Sequence, residues 1–208
     1  GFSKALFAQF GNCTASEMQT YTDRETGNTI TILTDTLEND RFVYQTDPMW
    51  THDGKSLLFR SSSRANDKKI ERTLPNGEKR SWTPTQIYFI EMATGQIIQA
   101  TEGPDLGSAF LANKSNRMFI SRKEKEDWNM YVMDLDKFFA DVKKGKVGKP
   151  TAYETLLGTF PTSMGRPGGY AIDCNDDYAY ITVEREGTEE EKERMAKNAF
   201  LPESNQPV

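Results

Sequence analysis

Apolar residues in this chain fall into short alternating runs broken by small polar turns, and the breaks recur. Trp50 to Ser61 (WTHDGKSLLFRS) sets an Asp-Gly turn before an apolar strand. The same arrangement returns about 61 residues later at Leu111 to Arg122, and about 61 later again at Ile172 to Val183. An Asn, Asp or Gly turn between two apolar runs is the signature of a hairpin. A second hairpin interleaves with the first: Gln86 to Glu91 leads through Thr94-Gly95 into Gln96 to Thr101. An earlier copy spans Tyr21 to Thr34 with its own Thr26-Gly27 turn, and a weaker one, Met130 to Leu135, runs into a helical patch at Phe138 to Val142. Two strands about an Asp-Gly turn followed by two about a Thr-Gly turn predict an all-β chain of four-stranded antiparallel blades, a β-propeller. Ser62 to Pro84 is a polar insertion between the second and third strands of one blade, and Asn76-Gly77 predicts a small hairpin tip within it. The other helical stretch is Thr188 to Asn198, a charged surface helix.

Length changes the meaning of the repeat. At about 61 residues per unit, 208 residues hold three blades and part of a fourth, whereas closed propellers have at least about four. The expectation is an incomplete ring: an N-terminal segment (1–20), partial propeller (21–187) and a charged helix and connector (188–208), with the missing blades supplied by the rest of a longer chain or by another chain. The net charge of −5 argues against a nucleic-acid partner, and no apolar run approaches the length of a membrane span. Cys13 and Cys174 have no spacing that predicts a zinc site.

The Pro48-Met49-Trp50-Thr51-His52-Asp53-Gly54-Lys55 stretch, followed by Leu57-Leu58-Phe59-Arg60-Ser61, resembles a blade of the TolB-type propellers. Within that superfamily four segments look most like the oligogalacturonate lyase family: Tyr21-Thr22-Asp23 with Thr26-Gly27 and Leu33-Thr34, Tyr44-Gln45-Thr46, Phe59-Arg60-Ser61, and Gly168 to Asp173. The resemblance spans Tyr21 to Arg185. It implies a seven-bladed propeller, a divalent metal such as Mn²⁺ held mainly by histidines, and β-elimination of short oligogalacturonates in pectin degradation; the expected location is periplasmic or extracellular, with the cytoplasm as the alternative. The chain departs from the pattern by having one histidine, His52, in a turn. The family's metal ligands belong to later blades, so no metal ligand is assigned here, and the catalytic residues are expected beyond Val208. Asp47 stands where several relatives carry a histidine.

Propeller geometry places the ligand face where the innermost strands begin and the second strands end. Tyr44, Gln45, Thr46 and Asp47 lie there in one blade, Gly107 and Ser108 in the next, and Arg166, Gly168 and Gly169 in a third. The second strands end near Arg60, Arg122 and Arg185, and the insertion adds Lys68, Lys69, Arg72, Lys79 and Arg80 on the same side. Guanidinium groups bind carboxylates through paired hydrogen bonds, so Arg60, Arg122 and Arg166, with Gln45 and Asp47, are the expected contacts to an acidic oligosaccharide. The competing expectation for each arginine is an ion pair with a nearby acid. Asp53 and Asp176 are read as turn-shaping residues. Trp50, Phe59, Tyr88, Phe119, Tyr131 and Tyr180 are read as core, and Trp82 and Trp128, beside polar loops, as possible sugar platforms. Two other functions stay open on sequence: a non-catalytic propeller binding a protein or glycan, and the gating propeller of a prolyl-oligopeptidase-type peptidase.

Overall fold

In the computed structural model the described residues are 10–35, 39–44, 47–64, 69–73, 77–103, 106–125, 127–160, 166–184 and 189–190. They are mostly β. The first sheet has the order β4-β5-β8-β9-β1, all antiparallel, from Asp40–Arg41 (β4), Ser56–Ser61 (β5), Gln86–Glu91 (β8), Ile97–Gln99 (β9) and Cys13–Thr14 (β1). The second runs β10-β11-β12-β13 through Leu106–Leu111, Arg117–Glu124, Asp127–Asp134 and Glu154–Phe160. Three hairpins complete the strands: β2–β3 (Gln19–Thr22, Thr29–Ile32), β6–β7 (Ile70–Thr73, Lys79–Trp82) and β14–β15 (Arg166–Ile172, Ala179–Glu184). The arrangement is consistent with an incomplete β-propeller. The expected N-terminal segment supplies an edge strand, β1, and the boundary expected at residue 20 falls inside β2. Of the charged C-terminal helix only residues 189 and 190 are described, in helical conformation. No helix of the described residues is long and apolar enough to cross a membrane.

Local chemistry explains the elements. In the turn before β5, Asp53 accepts from Thr51 Oγ1 (2.8 Å), the Lys55 N–H (3.1 Å) and Lys55 Nζ (2.9 Å). Burial works to raise the Asp53 carboxyl, but the hydrogen bonds from Lys55 and Thr51 outweigh it and hold it down at about 2. The turn after β8 closes on Gly95, whose N–H donates to the Glu91 carbonyl (2.7 Å) at φ +71. A Cβ there would collide with Ser16, so only glycine lets the N-terminal segment cross this turn. The helical patch is α1, Leu135–Lys143, capped by Asp134, which accepts from the Lys137 N–H (2.9 Å).

The first sheet is buried on both faces, which is why its strands read as continuous apolar runs. Leu58, Ile87, Phe89 and Ile98 face Met118, Ile120 and Met133 of the second sheet, with Phe138 of α1 and Phe10 in the same core. Phe59, Tyr88, Ile90 and Ile97 fill the opposite face against Met18 and Leu33. Each such side chain contributes about 1.5–3 kcal/mol on burial. Of the expected core aromatics Tyr131 is half-buried, with its hydroxyl donating to Glu124 (2.8 Å), and two are exposed. Trp50 is 47% exposed because it meets β5 only through an isolated bridge to Leu57, past an interruption in the inner strand. Tyr180 is 58% exposed because β15 has a single ladder partner among the described strands.

Successive sheets are joined at their turn ends by residues one repeat apart. His52 Nδ1 donates to the Asn113 carbonyl (2.9 Å), 61 residues on, and the Asp53 N–H to Asn116 Oδ1 (3.1 Å). The next turn repeats the pattern: Asp176 accepts from the N–H of Asn113 (2.6 Å), the N–H of Lys114 (2.8 Å) and Ser115 Oγ (3.0 Å). Asp176 therefore does more than shape its own turn; its carboxylate, 1% exposed, fastens the neighbouring one. Burial works to raise its pKa, and these hydrogen bonds with the Arg117 charge overcome that and lower it. A depressed carboxylate stabilises the fold above its ordinary value of 3.8, and the contribution is lost as pH falls through the lower native value. Asp176→Ala is expected to cost about 1–3 kcal/mol in urea unfolding at pH 7, and the gap to the unaltered protein should close as the pH is lowered through the acid range.

Candidate functional site

The innermost strands are irregular at one common level. In the first sheet β4 pairs with β5 at Arg41↔Arg60, and pairing resumes only at Trp50↔Leu57. In the second, β10 has a bulge between Leu106 and Ala109, and in the third β14 has one between Pro167 and Tyr170. Bulges free backbone from the ladder and re-aim side chains, often beside functional sites. The β10 bulge depends on Gly107, where a Cβ would collide with Ser121 Oγ and sit 2.8 Å from the Trp128 ring. The Ser108 N–H instead donates to Ser121 Oγ (2.8 Å).

These irregularities enclose a cleft of about 380 Å³ lined by Tyr44, Asp47, Arg60, Ser108, Phe110 and Tyr170, among others. Burial raises the Asp47 carboxyl above its usual range, and the positive charge of Arg60 pulls it partly back. Burial also raises the Tyr170 phenol, with a hydrogen bond from Ser121 acting against it. Tyr170 packs on Phe110 with ring centroids 5.5 Å apart. Arg60 is half-buried, and its Nη2 donates to the Phe42 carbonyl (3.3 Å). Arg60 makes no ion pair within 4.0 Å among the described residues, so Asp47 is the acid whose field it feels in the cleft and its guanidinium fork is not held by a carboxylate at contact distance.

Comparison with known proteins bears on what this cleft belongs to. The fold is shared with oligogalacturonate lyases. An oligogalacturonate lyase solved in complex with manganese aligns with a TM-score of 0.53 and 19% identity, over 81% of this chain and 36% of that one. An oligogalacturonate lyase from Vibrio parahaemolyticus aligns with a TM-score of 0.54 and 20% identity, over 80% and 35%. The chain thus spans about a third of the length of each. No protein-family profile matches the sequence, and no curated protein matches it.

The other expected contacts separate into different environments. Arg122, in β11, gives two hydrogen bonds to Glu154 of β13, Nη1–Oε2 3.0 Å and Nη2–Oε1 2.9 Å. It also lies 5.3 Å above the Tyr131 ring. Its guanidinium is committed to an acid of its own sheet. Arg166 is placed by its backbone in β14, opposite Glu184. Gln45, Thr46, Lys68 and Arg185 lie outside the described residues. A divalent metal finds no ligand set here: among the described residues no three His, Cys, Asp or Glu side chains converge, and His52 Nδ1 is engaged by Asn113.

Sequence reading missed Arg64. Its side chain, 8% exposed, donates to both carboxylate oxygens of Glu17 (2.7 and 2.7 Å) and of Asp40 (Nε 2.9 and 3.1 Å, Nη2 2.6 Å), and stacks 5.5 Å over Phe59. Burial would lower its pKa, and the two acids more than reverse that. Its partners are 47 and 24 residues away, beyond any local pattern. Breaking a buried pair leaves one charge uncompensated, at about 3–5 kcal/mol. Because Glu154 is only 2% exposed and Arg122 18%, Glu154→Gln is expected to destabilise by about 3 kcal/mol, whereas the double change Arg122→Met with Glu154→Leu should recover most of the loss. Chemical denaturation of the two variants beside the unaltered protein checks this.

Proposed function

We propose that this chain forms part of an oligogalacturonate-lyase-like propeller that binds short acidic oligosaccharides in the cleft around Arg60. The two large sheets and the β14–β15 hairpin are read as three blades, and the β2–β3 hairpin as part of a fourth. The observation that carries the reading is the placement of an arginine with no ion pair among the described residues at the level where three innermost strands break pairing, within a fold shared with two oligogalacturonate lyases. Arg60 would hold a uronate carboxylate through its fork, and Asp47, half-buried beside it, would accept hydrogen bonds from sugar hydroxyls. Arg166, whose backbone lies in β14, and Gln45, outside the described residues, are assigned to the same ligand.

β-Elimination from a uronate needs its carboxylate neutralised, so that the neighbouring C–H becomes acidic, and a base to take that proton. Arg60 meets the first requirement. The base, and the metal of the family, are assigned to residues other than those described. The reading places the protein in the periplasm or outside the cell, where pectin fragments are met.

The test is calorimetric titration of the intact protein with digalacturonate, together with absorbance of the unsaturated product with and without Mn²⁺. Binding is expected, and Arg60→Ala should weaken it about 10–100-fold, the equivalent of losing hydrogen bonds to a charged group. An intact protein that neither binds nor cleaves digalacturonate under any metal condition sinks the proposal.

A further inference from the structure

Asp47 stands apart from the other acids of the fold. The carboxylates of Asp23, Asp53, Asp173 and Asp176 each accept hydrogen bonds from nearby N–H or O–H groups, and all four are held below their ordinary value. Glu17 and Glu91 are lowered by their bonds to Arg64 and Lys143. Among the described residues no hydrogen bond supports the Asp47 carboxylate, and burial raises it. Its backbone N–H is tied to the Tyr44 carbonyl (2.8 Å), which fixes the turn that carries it.

The cleft of about 380 Å³ sets this bare carboxylate beside a single cation. Among the described residues the other titratable groups lining it are Arg60 from β5, Tyr44 from the segment that carries Asp47, and Tyr170 from β14. The inner strand β10 contributes Ser108, Ala109 and Phe110, none of which titrates. Arg60 and Asp47 stand farther apart than the 4.0 Å of an ion pair. Even so, the guanidinium charge works against burial and favours the ionised acid. A carboxylate ligand held by Arg60 changes both influences on Asp47. It neutralises the one charge that favours ionisation, and it adds a negative charge inside the same cavity. The two effects have the same sign.

We infer that Asp47 takes up a proton from solvent when an anionic ligand binds at Arg60, so that occupancy of this cleft is coupled to pH. This rests on the oligouronate reading of the cleft. The protonated carboxyl offers an O–H to the ligand's carboxylate and keeps an oxygen for a sugar hydroxyl. By linkage, the proton strengthens ligand binding by the same factor as the ligand strengthens proton binding. Affinity begins to rise as pH falls through the higher Asp47 value of the complex. The gain is complete below the value of the free protein, itself above the ordinary 3.8. The cleft therefore captures acidic ligands more tightly as its surroundings acidify, and releases them as pH rises.

The test is calorimetric titration of the intact protein with digalacturonate from about pH 5 to 8, where ordinary carboxylates of the ligand stay ionised. Buffers of different protonation enthalpy report the protons taken up per ligand. Net uptake is expected near pH 5, with affinity about 3–10-fold weaker at the neutral end, within the tenfold that a shift of one pKa unit gives. Asp47→Asn keeps an acceptor oxygen. It should bind without proton uptake and, at neutral pH, about 3–10-fold more tightly than the unaltered protein. Asp47→Glu should retain the uptake. Thermal melting within about 3 °C of the unaltered protein shows that a variant is folded. Three results each overturn the coupling and leave the oligouronate reading standing: binding by the unaltered protein without proton uptake, uptake that persists in Asp47→Asn, or a folded Asp47→Asn protein that binds more weakly at neutral pH. Failure of the unaltered protein to bind digalacturonate at any pH overturns that reading and this inference with it.

Discussion

Hydrogen bonds between equivalent turns set the spacing of the sheets, and other features follow from that spacing. The His52 to Asn113 and Asp53 to Asn116 contacts join the first turn to the second, and Asp176 joins the second to the third. Because donor and acceptor are one repeat apart, each sheet is offset from the last by a similar step, and the apolar faces between them meet in register. Leu58 and Phe89 then face Met118 and Ile120 in a shared core. The polar contacts are directional and the apolar ones are not, so orientation comes from the turns and stability from the faces.

With the turn ends fixed, the opposite ends of the inner strands are where pairing relaxes. The interruption between Arg41 and Trp50, the bulge at Gly107 and the bulge after Pro167 fall at one level and open the mouth. The β5–β8 and β11–β12 ladders behind them are unbroken and hold these irregular inner strands in place, a division common where a scaffold positions a site. The arginines of the second strands are of two kinds. Both face an irregular inner strand, but Arg122 is neutralised by Glu154 from the next strand but one, whereas Arg60 makes no ion pair within 4.0 Å among the described residues.

Much of this framework is legible in the chain because it is encoded locally. The Asp-Gly and Thr-Gly turns, the inserted hairpin ending at Gly77 and the helix after Met133 depend on residues a few positions apart, and their chemistry is readable without the fold. The unread features are those whose partners are distant. β1 is two residues, Cys13–Thr14, with no alternation to mark it as an edge strand. The Glu17–Arg64–Asp40 network unites three segments that share no motif. The Arg41–Arg60 opposition depends on a register that only strand pairing reveals. Trp50 satisfies the alternation of a core strand, and its exposure follows from an interruption in pairing that composition does not display.

Arg64 sits where the chain leaves β5 to enter the inserted hairpin, and its two carboxylates come from the N-terminal segment and from the inner strand. The departure point of the insertion is thereby bolted to two other parts of the chain, independently of what the insertion contains. Beyond that bolt the hairpin makes its own ladder, from Ile70↔Trp82 to Thr73↔Lys79. The anchorage of the sheets to the start of the insertion is thus set by Arg64, Glu17 and Asp40, none of which belongs to the hairpin itself.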